Sequence, residues 1–306
     1  MAHKRLAVVV GGRGVIGAGI AAALRPQWDV VIVSHNPRAV AWPGFRHGDL
    51  LDRRTLPAAV AGAEMVVQSA TFPSYPIEKP RRRHTFVDFD GIGTEHLVAA
   101  AEAAGVRRYL YVSGAGTPDR SPEGVPPFLR AMYRGEQAVL GSTMEGVCLR
   151  PALVYGPHDR VLNRIVRLAR RWPAMPLLDD GRQPQQPVLI DDLGEVARQA
   201  AEKGAPQGAF DVGGPDVIPL DELLLILFRV VGLRRPLVRV SSRRVRQVCR
   251  LLERLPGPPL TAAAVDFAAK SYVADLRPLH RAFDVRLTSF EAGLRTYLGG
   301  TAPVAR

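Results

Sequence analysis

Residues 5–25 read RLAVVVGGRGVIGAGIAAALR, and the order of residue types in that stretch restricts the fold more than any other segment does. Leu6 to Val10 is an unbroken apolar run, short and β-branched, as suits a strand buried on both faces of a parallel sheet. Gly11, Gly14 and Gly17 follow at intervals of three, and the pattern then turns helical through Ile20, Ala21 and Leu24. Strand, glycine turn and helix in that order let the backbone approach a pyrophosphate closely. They also aim the free N–H groups of a helix N-terminus at it. The segment predicts a dinucleotide-binding unit, with Gly11, Arg13, Gly14, Val15, Ile16 and Gly17 around the phosphates.

The second strand, DVVIVS from Asp29 to Ser34, bears on which dinucleotide. A carboxylate that would hold an adenosine ribose 2′-OH belongs at its end. The chain reads Ser34-His35-Asn36-Pro37-Arg38 there, and Asp29 stands at the wrong end of the strand. Hydroxyl, imidazole, amide and guanidinium donors, with Arg13 in the glycine loop, suit a 2′-phosphate instead. Ser34, His35, Asn36 and Arg38 therefore favour NADP(H) over NAD(H).

Strand and helix signals continue to alternate. A short strand at 45–47 precedes Gly48-Asp49-Leu50, Asp52 caps a helix ending near Val60, and Met65 to Ser69 is the next buried strand, with Ala70 after it. A Pro- and Arg-rich loop, TFPSYPIEKPRRRH, leads to a helix from Asp90 to Ala104; Glu78, Asp88 and Asp90 read as caps and solvated ends. Strand 109–113, helix 128–140 and strand 147–150 follow. This spacing predicts a doubly wound parallel α/β sheet of Rossmann type, with ligands across the carboxyl ends of its strands. After Pro151 the pattern loosens into helices and short strands, and Asp191-Asp192 read as a helix cap. The expected division is a nucleotide-binding core over 1–155. A smaller, mostly helical lobe over 156–306 interleaves with the last sheet elements.

Composition narrows the classes further. Two cysteines in 306 residues exclude a disulfide scaffold, and the first strand begins almost at once, so a cytoplasmic location is expected. The seven histidines show no metal-ligand spacing. The net charge of +12 rests almost wholly on arginine, concentrated between Arg229 and Arg254. Helical spacing of Val245, Val248, Leu251, Leu252 and Leu255 makes 240–255 a basic amphipathic helix, open either to a solvated role or to peripheral membrane contact. No aromatic residues interleave with these arginines, which argues against nucleic acid.

The motifs together resemble the extended and atypical short-chain dehydrogenase/reductases. GGRGVIG (Gly11 to Gly17) is similar to their glycine loop, and Asp49-Leu50 to the pair beside the adenine. YLYVSGAG (Tyr109 to Gly116) resembles the strand carrying the catalytic serine, here Ser113. LRPALVYGPHDR (Leu149 to Arg160) resembles the segment closing over the nicotinamide, and QPVLIDDLGEVA the late strand–helix unit. The resemblance implies cofactor contacts from Ser69, Ala70, Pro151 and Leu153. Within the family the chain looks most like the group related to the nucleotide-binding accessory subunit of respiratory complex I, through PSYPIEKPRRR and FVDFDGIGTEHLVAAAEAAGV.

The family's proton relay is a Tyr-x-x-x-Lys pair on one helix face. Aligning FLRAMYRGEQAVL with that helix sets Phe128 at the tyrosine position and Met132 at the lysine position. A register using Tyr133 and Gln137 keeps a phenol but no charge. Tyr155 and His158, with Ser113, are then the substitute acid/base candidates. Three readings stay open: a non-catalytic or accessory nucleotide binder, an oxidoreductase or redox-neutral isomerase or dehydratase of unorthodox mechanism, and a docked accessory protein whose protein partner or small-molecule substrate is unspecified.

Overall fold

Alternate residues of the first strand face opposite layers, and that alternation organises the molecule. In β1 (Arg5–Val10), Ala7 and Val9 join one core cluster and Val8 and Val10 the other, all fully or almost fully buried. A strand covered on both sides has no polar face to show, which is why its sequence lacks alternation. The computed structural model describes residues 5–36, 44–73, 75–252, 271 and 273–299.

After β1 come α1 (Val15–Leu24), β2 (Trp28–Ser34), β3 (Phe45–His47), α2 (Leu56–Val60) and β4 (Met65–Gln68). A π-helical stretch, Val87–Gly93, runs directly into α3 (Thr94–Ala103); β5 (Arg108–Val112), α4 (Pro127–Leu140) and β6 (Glu145–Pro151) follow. Beyond these lie β7 (Leu153–Tyr155), α5 (Leu162–Arg171), β8 (Met175–Leu178), β9 (Pro184–Gln185), β10 (Pro187–Leu189), α6 (Ile190–Ala200) and β11 (Gly208–Val212). The remaining elements are β12 (Ile218–Pro219), α7 (Leu220–Val230), β13 (Leu237–Val240), α8 (Ser242–Leu252), α9 (Leu276–Ala282) and α10 (Phe290–Leu298).

The seven-stranded sheet has the order β11-β6-β5-β4-β1-β2-β3, with every pairing parallel. The chain winds outward from β1 in one direction through β2 and β3, then crosses back to β4. That reversal opens a crevice above the carboxyl ends of β1 and β4. One face of the sheet is covered by α1, α6 and α9, the other by α2, α3 and α4. Gly19 permits the close approach of α1 to α6, since a Cβ there would lie 2.4 Å from Ile190.

The smaller lobe has its own core of α5, α7 and α10 around Tyr155, Phe228 and Phe290. Three two-stranded pairings brace it: β7 with β10, β9 with β12 and β8 with β13. Segments after residue 155 return to the large sheet through β11 and α6, so core and lobe interleave. Among the described residues no helix is long and apolar enough to cross a membrane.

Candidate functional site

The glycine loop is held against the end of β4 by contacts that leave no room for side chains. Gly11 has φ +88°, and a Cβ on it would come within 2.6 Å of the Ala70 backbone. A Cβ on Gly17 would sit 2.5 Å from both the Gly11 carbonyl and Ser69 Oγ. Ser69 closes the arrangement, donating its N–H to the Val10 carbonyl at 2.9 Å. Gly11, Gly17, Ser69 and Ala70 are thus brought into one cradle. Arg13 and Gly14 project from it, exposed, while Val15 and Ile16 begin α1 half-buried. Gly14 is the N-cap of α1 and supplies no side-chain acceptor, so the helix's first N–H groups open towards the crevice. A bare loop plus an unsatisfied helix terminus fits the pyrophosphate of a dinucleotide.

At the end of β2, Ser34 is half-buried and His35 and Asn36 are exposed. Ser34 Oγ accepts the Asn36 N–H at 3.2 Å. Arg38 lies outside the described residues. Asp49 is half-buried in the turn after β3, where its carboxylate accepts the Leu51 N–H at 2.9 Å. Leu50 is buried beneath the π-helical stretch, its Cβ 3.0 Å from where a Cβ on Gly93 would lie.

Across the crevice, Ser113 follows β5 and is buried, its N–H donated to the Leu149 carbonyl and its Oγ 3.2 Å from Thr117 Oγ1. Pro151 is buried at the end of β6, and its carbonyl accepts the Ala115 N–H. Helix α4 crosses this region. Its Met132 is buried, with Sδ 3.0 Å from the position a Cβ on Gly114 would take. Phe128, one turn earlier, stacks at 5.4 Å on Phe86. Met132 therefore stands against the Ser113 loop and Phe128 against Phe86, while Tyr133 is half-buried on a different part of the helix.

The position of α4 is fixed by a buried ion pair. Arg150 on β6 donates Nε to Glu136 Oε1 at 2.9 Å and Nη2 to Oε2 at 2.6 Å, while Nη1 reaches Asp119 at 2.5 Å. Glu136 is fully buried. Removing one partner of such a pair costs about 3–5 kcal/mol, because the other charge is left unpaired.

Several expectations need correction. Tyr155 is not at the cleft: β7 leaves the large sheet to pair with β10, and this turns the phenol into the smaller lobe's core. It is fully buried, packs edge-on against Phe290 at 5.1 Å, and has Ser289 and Phe290 carbonyls near its hydroxyl. Burial pushes its phenol well above the usual range, which removes it as an acid or base at neutral pH. Leu153, on the same strand, is half-buried and packs with the lobe's core cluster. His158 is exposed in the turn beyond. Asp191 and Asp192 do not cap α6; its cap is Leu189, and Asp192 instead accepts bonds from Thr288 N and Oγ1.

Asp90 is the largest departure. It is buried at 4% exposure rather than solvated. Oδ1 accepts the Tyr111 hydroxyl at 3.3 Å, Oδ2 has no partner among the described residues, and burial raises its pKa to about 7. The π-helical turn is what rotates it inward, and no periodicity in DFDGIG signals that turn. Beside it lies a second buried network that the sequence did not reveal, in which Tyr109 donates to Gln68 and Gln68 donates to Thr94 Oγ1 at 2.8 Å.

Comparison with known proteins agrees with this geometry. A 2-alkyl-3-oxoalkanoate reductase of Stenotrophomonas maltophilia is 26% identical over 96% of this chain and 99% of its own. The mitochondrial NADH dehydrogenase [ubiquinone] 1 alpha subcomplex subunit 9 of Arabidopsis thaliana is 30% identical over 60% of this chain, and the match spans 44% of that subunit. Among solved structures, MoeE5 in complex with UDP-glucose and NAD superposes with a TM-score of 0.74 at 21% identity, over 95% of this chain and 97% of its own. WbmG of Bordetella bronchiseptica in complex with NAD gives 0.72 at 19% identity, over 97% and 94%. Those two likenesses bear on fold. Residues 7–213 match the profile of the NAD dependent epimerase/dehydratase family, the same span that holds the glycine cradle, the Ser113 loop and α4, and the chain belongs to that family.

Proposed function

We propose that this protein is a nicotinamide dinucleotide binder, with NADP(H) favoured, that has given up the family's proton relay and serves as a non-catalytic or accessory nucleotide-binding subunit. The observation that carries the reading is Met132, buried against Gly114 of the Ser113 loop, with Phe128 one turn earlier on the same helix packed on Phe86. A phenyl ring has no proton to give, and a thioether carries no charge to lower a neighbouring pKa or to hold a ribose hydroxyl. The glycine cradle with the N-terminus of α1 would hold the pyrophosphate, and Ser34, His35, Asn36 and Arg13 would meet the adenosine 2′-phosphate. A bound nicotinamide would supply a hydride acceptor or donor, and Ser113, buried and bonded to Thr117, would be a polar group of this chain near it. A cofactor kept for structure stabilises the folded state by mass action.

The full-length similarity to a reductase supports a second reading, an NADPH-dependent enzyme that uses Ser113, His158 or water for proton transfer. One experiment separates the two. The protein is titrated calorimetrically with NADPH and NADH, and the wild type and Phe128→Tyr/Met132→Lys are assayed for NADPH oxidation on a panel of carbonyl compounds. Tight NADPH binding with turnover confined to the double variant is the expected result. Turnover by the wild type refutes the non-catalytic reading, and absence of binding to either nucleotide refutes both.

A further inference from the structure

The positive charge of this molecule is segregated. Residues 160–178 and 223–252 hold thirteen arginines and no Asp, Glu or Lys, more than the whole chain's net charge of +12. A general compositional preference for arginine would scatter it among carboxylates, as happens in the rest of the chain. The two segments lie far apart in sequence but meet in space. β8 pairs with β13 from Met175–Leu237 to Leu178–Val240, Arg235 Nε donates to the Ala169 carbonyl at 2.7 Å, and Ser242 N donates to Asp179 at 2.9 Å. The end of α5 and the start of α8 are thus tied to the same β8–β13 pair of the smaller lobe, with Asp179 at the junction.

Two clusters dominate these elements. Arg164, Arg167 and Arg171 recur at helical spacing on α5, all exposed, and line a cavity of about 420 Å³ together with Leu168. On α8, Arg243, Arg244 and Arg250 are exposed above the inward-facing Cys249. None of these six forms an ion pair with a described residue, whereas the arginines of the nucleotide-binding core commonly do. The same elements carry large exposed apolar side chains: Trp172 at the end of α5, 45% exposed, Val238 on β13, 50%, and Val248 on α8, 56%.

We propose that this α5–β13–α8 face docks on an anionic phospholipid surface. Guanidinium groups with no ion pair among the described residues complement lipid phosphates bidentately, and Trp172 with the two valines supplies the apolar contact that settles a protein into the headgroup layer. The aromatic residues within the two segments are Trp172 and the buried Phe228, too few for a stacking platform, and this favours lipid over nucleic acid. The inference is independent of the nucleotide reading, because the face lies on the lobe and includes no residue of the glycine cradle.

The test is co-sedimentation of the full chain with vesicles of phosphatidylcholine alone and with added phosphatidylglycerol, at rising salt. Binding is expected only to the anionic vesicles and weakens as the Debye length falls from about 10 Å at 0.1 M salt. Each arginine near an anionic surface contributes about fivefold in partitioning. Arg164→Gln/Arg167→Gln/Arg171→Gln and Arg243→Gln/Arg244→Gln/Arg250→Gln should therefore each lower it about a hundredfold, while Arg53→Gln/Lys203→Gln, away from the face, should not. Trp172 emission should shift to the blue on vesicles, with the shift lost in Trp172→Phe. Circular dichroism and thermal unfolding of each variant report its folding independently. Equal binding to neutral vesicles, unchanged binding by both triple variants, or triple-variant-sensitive binding to duplex DNA without vesicle binding would each overturn the proposal.

Discussion

Replacing Asp90 with asparagine should make the protein markedly more stable above neutrality and change little in acid. In the folded protein, burial raises the Asp90 pKa to about 7, Tyr111 offsets part of this, and the charge of Glu78 adds to it. In the unfolded chain the same carboxyl titrates at its ordinary value of 3.8. Between these values the unfolded state has released its proton and the native state has kept it, so stability falls as pH rises. At 1.36 kcal/mol per unit, a difference of about three units is worth ~4 kcal/mol across the window. Below pH 4 both states are protonated and nothing is lost, while above pH 7 the full cost is present. Asparagine keeps an acceptor for Tyr111 and has no charge to bury. Urea unfolding of wild type and Asp90→Asn at pH 5 and pH 8 measures the effect. The advantage of the variant should grow by roughly 2–3 kcal/mol between the two, a large share of the 5–15 kcal/mol typical of a whole domain. Parallel pH dependences would show that Asp90 is not held protonated, and the account of its burial would fail.

Gly17→Ala brings a methyl group to 2.5 Å from the Gly11 carbonyl and Ser69 Oγ. Calorimetry should show dinucleotide affinity reduced by more than tenfold, with a stability loss of about 1–3 kcal/mol from overpacking. Tyr155→Phe should leave nucleotide binding and any turnover unchanged, because its hydroxyl faces the Ser289 and Phe290 carbonyls in the lobe core. A large loss of turnover in that variant, with stability intact, would return Tyr155 to the site.

What could be read in the sequence divides by the range of the interactions involved. β1, the glycine loop and α1 were legible because buried strands and amphipathic helices impose a period on consecutive residues, and the ends of the core strands came within about two residues, whereas the helix expected from Asp90 begins as α only at Thr94. The pairing of β8 with β13 was not, since two four-residue strands about sixty residues apart carry no shared pattern. Tyr155 was misplaced for a related reason. LRPALVYGP reads as a strand continuing to the nicotinamide, yet β6 ends at Pro151 and Leu153–Tyr155 pairs elsewhere. Asp90 shows the limit most sharply, because a carboxylate ahead of a helix reads as a cap and only the π-helical turn buries it.

The ion pair between Arg150 and Glu136 decides how the double substitution at Phe128 and Met132 must be interpreted. Two bonds from one guanidinium hold α4 against β6, so the helix cannot rotate to present a different face when its cleft residues change. Binding and chemistry can therefore part company in this fold. The dinucleotide cradle depends on backbone geometry at Gly11 and Gly17, whereas the relay depends on two side chains that α4 carries whatever they are. A lysine at 132 would enter a site now 6% exposed, and burying its charge without a partner is costly. On the proposed reading the ribose hydroxyls of bound coenzyme offer that partner, so NADPH should stabilise the double variant more than the wild type. If it stabilises both equally, residue 132 does not face the coenzyme, and the assignment of Phe128 and Met132 to the relay positions is wrong.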